Sequence, residues 1–167
     1  METSREQFSL IYDQYIEKIY RFVYLKVSSQ EIAQDLTSKV FMNGWEACQR
    51  GTKINNPGAF LYQIARNSVV DYYREKEKRK TVSIGHIPEI LDHKTDIYEK
   101  AVLGAQVEAV KLAIADIKQD YQDVIIWHYL EDMPAEQIAM IMDKPAGTVR
   151  VMIHRALHSL RSRLHEV

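Results

Sequence analysis

The chain has 167 residues, 46% hydrophobic and 27% charged, with a net charge of -1. That is too apolar for a disordered polymer and suits one domain or two small ones. No apolar run approaches a membrane span and the start METSREQF lacks a signal-peptide pattern, so no membrane insertion and a cytoplasmic location are expected. Cys48 is alone, which excludes a disulfide framework and a cysteine-based zinc site.

Taken in chain order, the apolar spacing is almost everywhere three or four, the period of a helix. Phe8, Ile11, Tyr12, Tyr15, Ile19, Phe22 and Val23 predict a first helix. Ser29 is a candidate N-cap for a second, with Ile32, Leu36, Val40, Phe41 and Trp45 inside it. Residues 50–56 are polar, and Gly51 with the Asn55-Asn56-Pro57 corner marks them as a loop. Pro57 suits the first turn of a third helix carrying Phe60, Leu61, Ile64, Ala65, Val69 and Tyr72. Between residues 81 and 96 periodicity fades and Gly85 and Pro88 interrupt, as in a linker. A helix is expected from about residue 97 toward Ile117 and another over residues 120–130.

Two further helical patterns then meet at a corner, Asp143-Lys144-Pro145-Ala146. Ile138, Ala139 and Met142 form the stripe of the first, and Val149, Ile153, Ala156, Leu157 and Leu160 that of the second. The second carries Arg150, His154, Arg155, Arg161 and Arg163. A short helix, a tight corner and a longer basic helix make a helix-turn-helix, a device for laying a helix in the major groove. The expected architecture is all-α: a domain over residues 1–80, a linker over 81–96 and a helix-turn-helix domain over 97–167.

The near-zero net charge conceals segregation. Residues 62–80 hold six basic side chains against three acidic, and residues 135–167 hold five against three. Residues 81–134 between them hold four lysines against ten acids. Two basic zones around an acidic middle suggest two nucleic-acid contacts, because phosphate affinity follows local charge.

The motifs resemble, in order and over nearly the whole chain, an extracytoplasmic-function (ECF) sigma factor of bacterial RNA polymerase. Asp35-Leu36-Thr37-Ser38-Lys39-Val40-Phe41 is similar to the family helix that docks on the polymerase clamp. Phe60 to Asn67 (FLYQIARN) followed by Asp71-Tyr72-Tyr73-Arg74 resembles the helix beside the −10 promoter element. Residues 117–129 with Glu131 and Asp132 are similar to the helix leading into the −35-reading domain, and Gly147-Thr148-Val149-Arg150 with Ile153-His154-Arg155-Ala156 to its recognition helix.

The resemblance implies Asp35, Leu36, Lys39 and Phe41 as contacts to core polymerase. It implies Thr52, Lys53, Asn55, Asn56, Arg66, Asn67, Arg74 and Lys78 as the −10 surface, and Lys144, Thr148, Arg150, Val151, Met152, His154 and Arg155 as the −35 surface. The implied partners are core RNA polymerase and promoter DNA, with an anti-sigma factor as a further candidate on the apolar surface between the domains. The chain departs from the family at Ser38-Lys39, where Gln-Glu is usual, at Asp143, where glycine is usual, and at Val151-Met152, where Ser-Arg is usual.

No catalytic constellation is legible. Asp13 with Glu17, and Glu131 with Asp132, are paired carboxylates without a nucleophile or a phosphate loop. His154 and His158 lack the further ligands a metal motif needs. No cofactor and no small-molecule substrate are implied. Two other readings stay open on the residues: a stand-alone helix-turn-helix regulator, and a helical adaptor that no longer binds DNA. A simple regulator has no need of the Asp35 helix and the Arg66-Asn67 helix in this order.

Overall fold

The computed structural model describes the backbone of residues 3–82 and 105–165. Among these residues there are seven α-helices, one π-helical turn and no strand. Most of the expected linker lies outside them, as does the start of the helix expected from residue 97.

Helix α1 spans Ser4–Val27. Thr3 caps it, its hydroxyl accepting from the Glu6 amide while the Glu6 carboxylate accepts from the Thr3 amide, a reciprocal capping box. It ends at Ser28, held left-handed at φ 55°. Helix α2, Gln30–Gln49, starts from the expected cap, with the Ser29 hydroxyl accepting from the Ile32 amide at 3.3 Å. Helix α3, Pro57–Val82, runs two residues past the boundary expected at residue 80. Asn56 caps it, Oδ1 accepting from the Ala59 amide at 3.0 Å. These three helices pack against one another around Ile19, Phe22, Val23, Leu36, Val40, Leu61 and Val69, all buried.

The second module starts with helix α4, Ala105–Ala115, followed by α5, Gln119–Ile125, which runs into a π-helical turn at Ile126–Leu130. Helix α6, Ala135–Met142, and helix α7, Ala146–His165, form the helix-turn-helix at the expected place. Asp143 occupies the corner at φ 54°, ψ 50°, the left-handed conformation that favours glycine and that aspartate tolerates better than most residues. Val149, Ile153, Ala156 and Leu160 of α7 are buried, as their spacing requires.

The two modules are not independent. Their buried apolar side chains join into one continuous core, and α3 packs directly on α6. Trp127 of the π-helical turn, itself fully buried, lies stacked on Phe22 of α1 at 5.2 Å and edge-on to Tyr62 of α3 at 5.6 Å.

Candidate nucleic-acid interface

Helix α7 presents Thr148, Arg150, Val151, His154 and Arg155 to solvent, with Lys144 exposed at the corner before it. This is the polar, basic surface a groove-entering helix needs. Val151 is 48% exposed, but Met152 is only 9% exposed and belongs to the core. The expectation that both stand on the base-reading face is therefore corrected. Met152 follows Val149 by three residues, so the helical period returns it to the buried side. Arg150 forms an ion pair with Glu136 of α6 across the exposed surface of the motif. Glu136 is held below the usual carboxylate range by its own backbone hydrogen bond and then by Arg150. Arg163, in the last turn of α7, pairs with Asp116 at 3.0 Å.

On the first module the polar loop is accessible, with Thr52, Lys53 and Asn55 exposed and Gly51 left-handed at φ 83°. Asn67, Arg74 and Lys78 are exposed along α3. Asn56 and Arg66 are not free for a ligand in this arrangement. The oxygen of Asn56 caps α3, and its Nδ2 points at the Met140 sulfur, 3.6 Å away. Arg66 reaches the second module instead of solvent. Its Nε donates to Asp123 Oδ2 at 2.8 Å and its Nη2 to Asp120 Oδ1 at 2.7 Å. Gln63 Nε2 donates to the Ile141 carbonyl at 3.0 Å.

Asp123 holds a second cation. Its Oδ1 accepts from Lys26 Nζ, and both side chains are 2% exposed. Burial pushes the Lys26 ammonium below the usual lysine range, against the pull of Asp123. At the rim, Arg21 forks onto Glu131 at 2.8 and 3.0 Å. Lys26, Arg21, Asp120, Asp123 and Trp127 escaped the sequence reading as a site. One signal was present: Lys26 follows Ile19, Phe22 and Val23 on the buried stripe, where a lysine is out of place without a partner.

On α2, Asp35, Ser38 and Lys39 are exposed while Leu36 and Phe41 are buried. Leu36 and Phe41 support α2 from beneath, on the side opposite the charged face. The Phe41 ring packs edge-on to Phe8 and Tyr12. Beside the charged face lies an open groove lined by Ile16, Glu17, Tyr20, Gln34, Thr37 and Ser38. The Thr37 hydroxyl is buried there without a hydrogen-bond partner among the described residues.

A helical module with a polar loop and basic helix, followed by a helix-turn-helix with an exposed basic face, defines a two-module DNA-binding protein. Two family models match in that order, Sigma-70 region 2 over residues 11–79 and Sigma-70, region 4 over residues 108–160. The chain belongs to the ECF sigma factors of this family.

It is 25% identical over 156 residues to the ECF RNA polymerase sigma factor BldN of Streptomyces coelicolor, covering 93% of this chain and 59% of BldN. It is 24% identical over 172 residues to the ECF RNA polymerase sigma factor SigW of Bacillus subtilis, covering 98% of this chain and 91% of SigW. Among solved structures, the sigma factor RpoE of Bartonella quintana, in complex with the anti-sigma factor NepR, is similar with a TM-score of 0.66 and 20% identity. That match covers 95% of this chain and 97% of RpoE, and at such identity it speaks for a common fold.

Proposed function

We propose that this protein acts as an ECF-type sigma factor, binding core RNA polymerase and directing it to promoters through the −10 and −35 elements. The observation that carries the reading is the pairing of region 2 and region 4 in one chain, with the exposed basic face of α7 on the second. The chain supplies no chemistry of its own; the polymerase does, and the site of action is the cytoplasm.

The division of labour follows from the chemistry of each surface. Asp35 and Lys39 are read as the contact to polymerase, and their exposure on α2 supports this. Thr52, Lys53 and Asn55 offer hydrogen bonds to unpaired bases, which a loop can receive and a groove-filling helix cannot. Arg66, Asn67, Arg74 and Lys78 line the backbone of that strand. Lys144, Thr148, Arg150, Val151, His154 and Arg155 meet the duplex, where Val151 suits a thymine methyl and the arginines suit guanine. An anti-sigma factor is a further partner of this reading, seated on the apolar surface between the two modules.

Transcription by purified core polymerase with this protein on a random promoter library tests the assignment. A sequence logo with two conserved elements is the expected result. Absence of any affinity for core polymerase would end it. Exchange of the loop at residues 50–56 should alter the −10 preference; an unchanged preference removes the loop from the site.

A further inference from the structure

Tyr62 is 2% exposed, and its hydroxyl has no hydrogen-bond partner among the described residues. The residue forms part of the wall of a pocket of about 250 Å³ between α1, the start of α3 and α6. The groups whose charge bears on the hydroxyl are Glu131, Arg21 and Tyr15, and Glu131 and Tyr15 line the same pocket. The hydroxyl therefore stands at the pocket end of the ring. A buried donor left unpaired costs stability, so an acceptor that reaches it gains more than a surface hydrogen bond.

Three further donors converge there. Gly58 is the second residue of α3, so the helix itself cannot use its amide, and no other described backbone carbonyl accepts from it. The Tyr15 hydroxyl lies against the same glycine: a Cβ on Gly58 would stand 2.9 Å from that oxygen. Lys18 Nζ is 5.6 Å from the centre of the Tyr15 ring and has no ion-pair partner among the described residues. Glu131 does not oppose an anion, because Arg21 forks onto its carboxylate at 2.8 and 3.0 Å. Lys18 is then the uncompensated charge of the pocket, beside the positive end of the α3 dipole.

We propose that this pocket binds a small phosphate monoester, its phosphoryl group held by Lys18, the Gly58 amide and the Tyr15 and Tyr62 hydroxyls. Donors from several directions suit the three terminal oxygens of a phosphoryl group better than the two of a carboxylate. Gln14 of α1 and Gln137 of α6 also line the pocket and are exposed. Their amides both donate and accept, as the hydroxyls of a sugar or polyol require. The volume falls just below the range of about 300–1,000 Å³ for drug-sized ligands, which suits a sugar phosphate. The proposal goes beyond the sigma-factor reading and does not rest on it.

The test is isothermal titration calorimetry on the full chain in buffer free of phosphate and sulfate. The probes are ribose 5-phosphate, glucose 6-phosphate and glycerol 3-phosphate, with inorganic phosphate, ribose and glucose as controls. Circular dichroism follows the fold of each variant.

At least one ester is expected to bind more tightly than inorganic phosphate and to raise the melting temperature, while the free sugars do neither. Lys18→Met, an exposed change, is expected to weaken ester binding roughly tenfold. Tyr62→Phe is expected to weaken it several-fold in a chain that is no less stable, which a purely structural role for the hydroxyl would not produce. Gly58→Ala displaces Tyr15 and is expected to weaken binding as well; should it unfold, Lys18→Met and Tyr62→Phe still decide the matter. Binding of no ester, or of none more tightly than inorganic phosphate, overturns the proposal. So does ester binding unchanged in both Lys18→Met and Tyr62→Phe. A single-stranded oligonucleotide held less tightly by Lys18→Met, with no ester bound, would give these donors to a DNA strand instead.

Discussion

Lys26 and Asp123 lie 97 positions apart and meet as an ion pair with both side chains 2% exposed. Each is out of place alone: one sits on the apolar stripe of α1, the other on the buried side of α5. Together they tie region 2 to region 4, with Arg66 sharing the same carboxylate.

Removing one partner leaves a buried charge without compensation. Lys26→Ala or Asp123→Ala is expected to cost about 3–5 kcal/mol of stability. Replacing both by apolar residues of similar volume, Lys26→Met/Asp123→Leu, is expected to be neutral or stabilising. Urea unfolding followed by circular dichroism distinguishes the cases, and equal losses in all three variants would contradict them.

The buried Tyr62 hydroxyl has no hydrogen-bond partner among the described residues, and burial raises its pKa above the ordinary tyrosine value. Tyr62→Phe is therefore expected to stabilise the protein by about 1 kcal/mol, since an unsatisfied buried group carries a desolvation cost. The sign of the pH effect follows. With the folded pKa above the unfolded one, the contribution of Tyr62 is fully present below about pH 10 and is lost as pH rises beyond it. Wild type should lose stability faster than Tyr62→Phe above that pH, and parallel melting curves from pH 9 to 11 would refute this.

Asp143 holds a left-handed conformation at the helix-turn-helix corner. Asp143→Gly should raise stability by about 0.5–1 kcal/mol, because glycine adopts that geometry without a Cβ conflict. A melting temperature unchanged or lowered would show that the aspartate carboxylate contributes more than its backbone costs.

Val151 and Met152 should respond oppositely to arginine. Val151→Arg adds a donor to an exposed face and is expected to shift one position of the preferred −35 element toward guanine. Met152→Arg drives a charge into the core and is expected to cost about 2–4 kcal/mol. Selection of −35 variants together with thermal melts reads both, and a stable Met152→Arg protein with an altered logo would reverse the assignment.

Asp35 is exposed on α2, beside the Thr37 groove. Asp35→Arg is expected to weaken association with core polymerase roughly tenfold without altering the fold, since it inverts an exposed charge on the face proposed to dock. Co-purification with core enzyme and a circular dichroism spectrum check it. Undiminished binding would move the polymerase contact elsewhere.

The sequence by itself determined the helices and the helix-turn-helix. Apolar spacing, the Ser29 cap, Pro57 and the corner at Asp143 are local signals, and local signals suffice where a helix needs only its own period and ends. The family was legible for the same reason, because its motifs are short runs on single helices.

The three-residue step from Val149 already puts Met152 on the buried side of α7, where packing leaves it 9% exposed. Tertiary structure alone decided which polar side chains are taken up by distant partners: no periodicity shows that Asn56 faces Met140. Nor could spacing reveal that Arg66 meets Asp120 and Asp123, or that Lys26 meets Asp123. Those pairings join residues 54, 57 and 97 positions apart, and they exist because two separately legible modules share one core. A charged residue on an apolar stripe signals that a partner is needed; where that partner stands in the chain depends on how the helices pack.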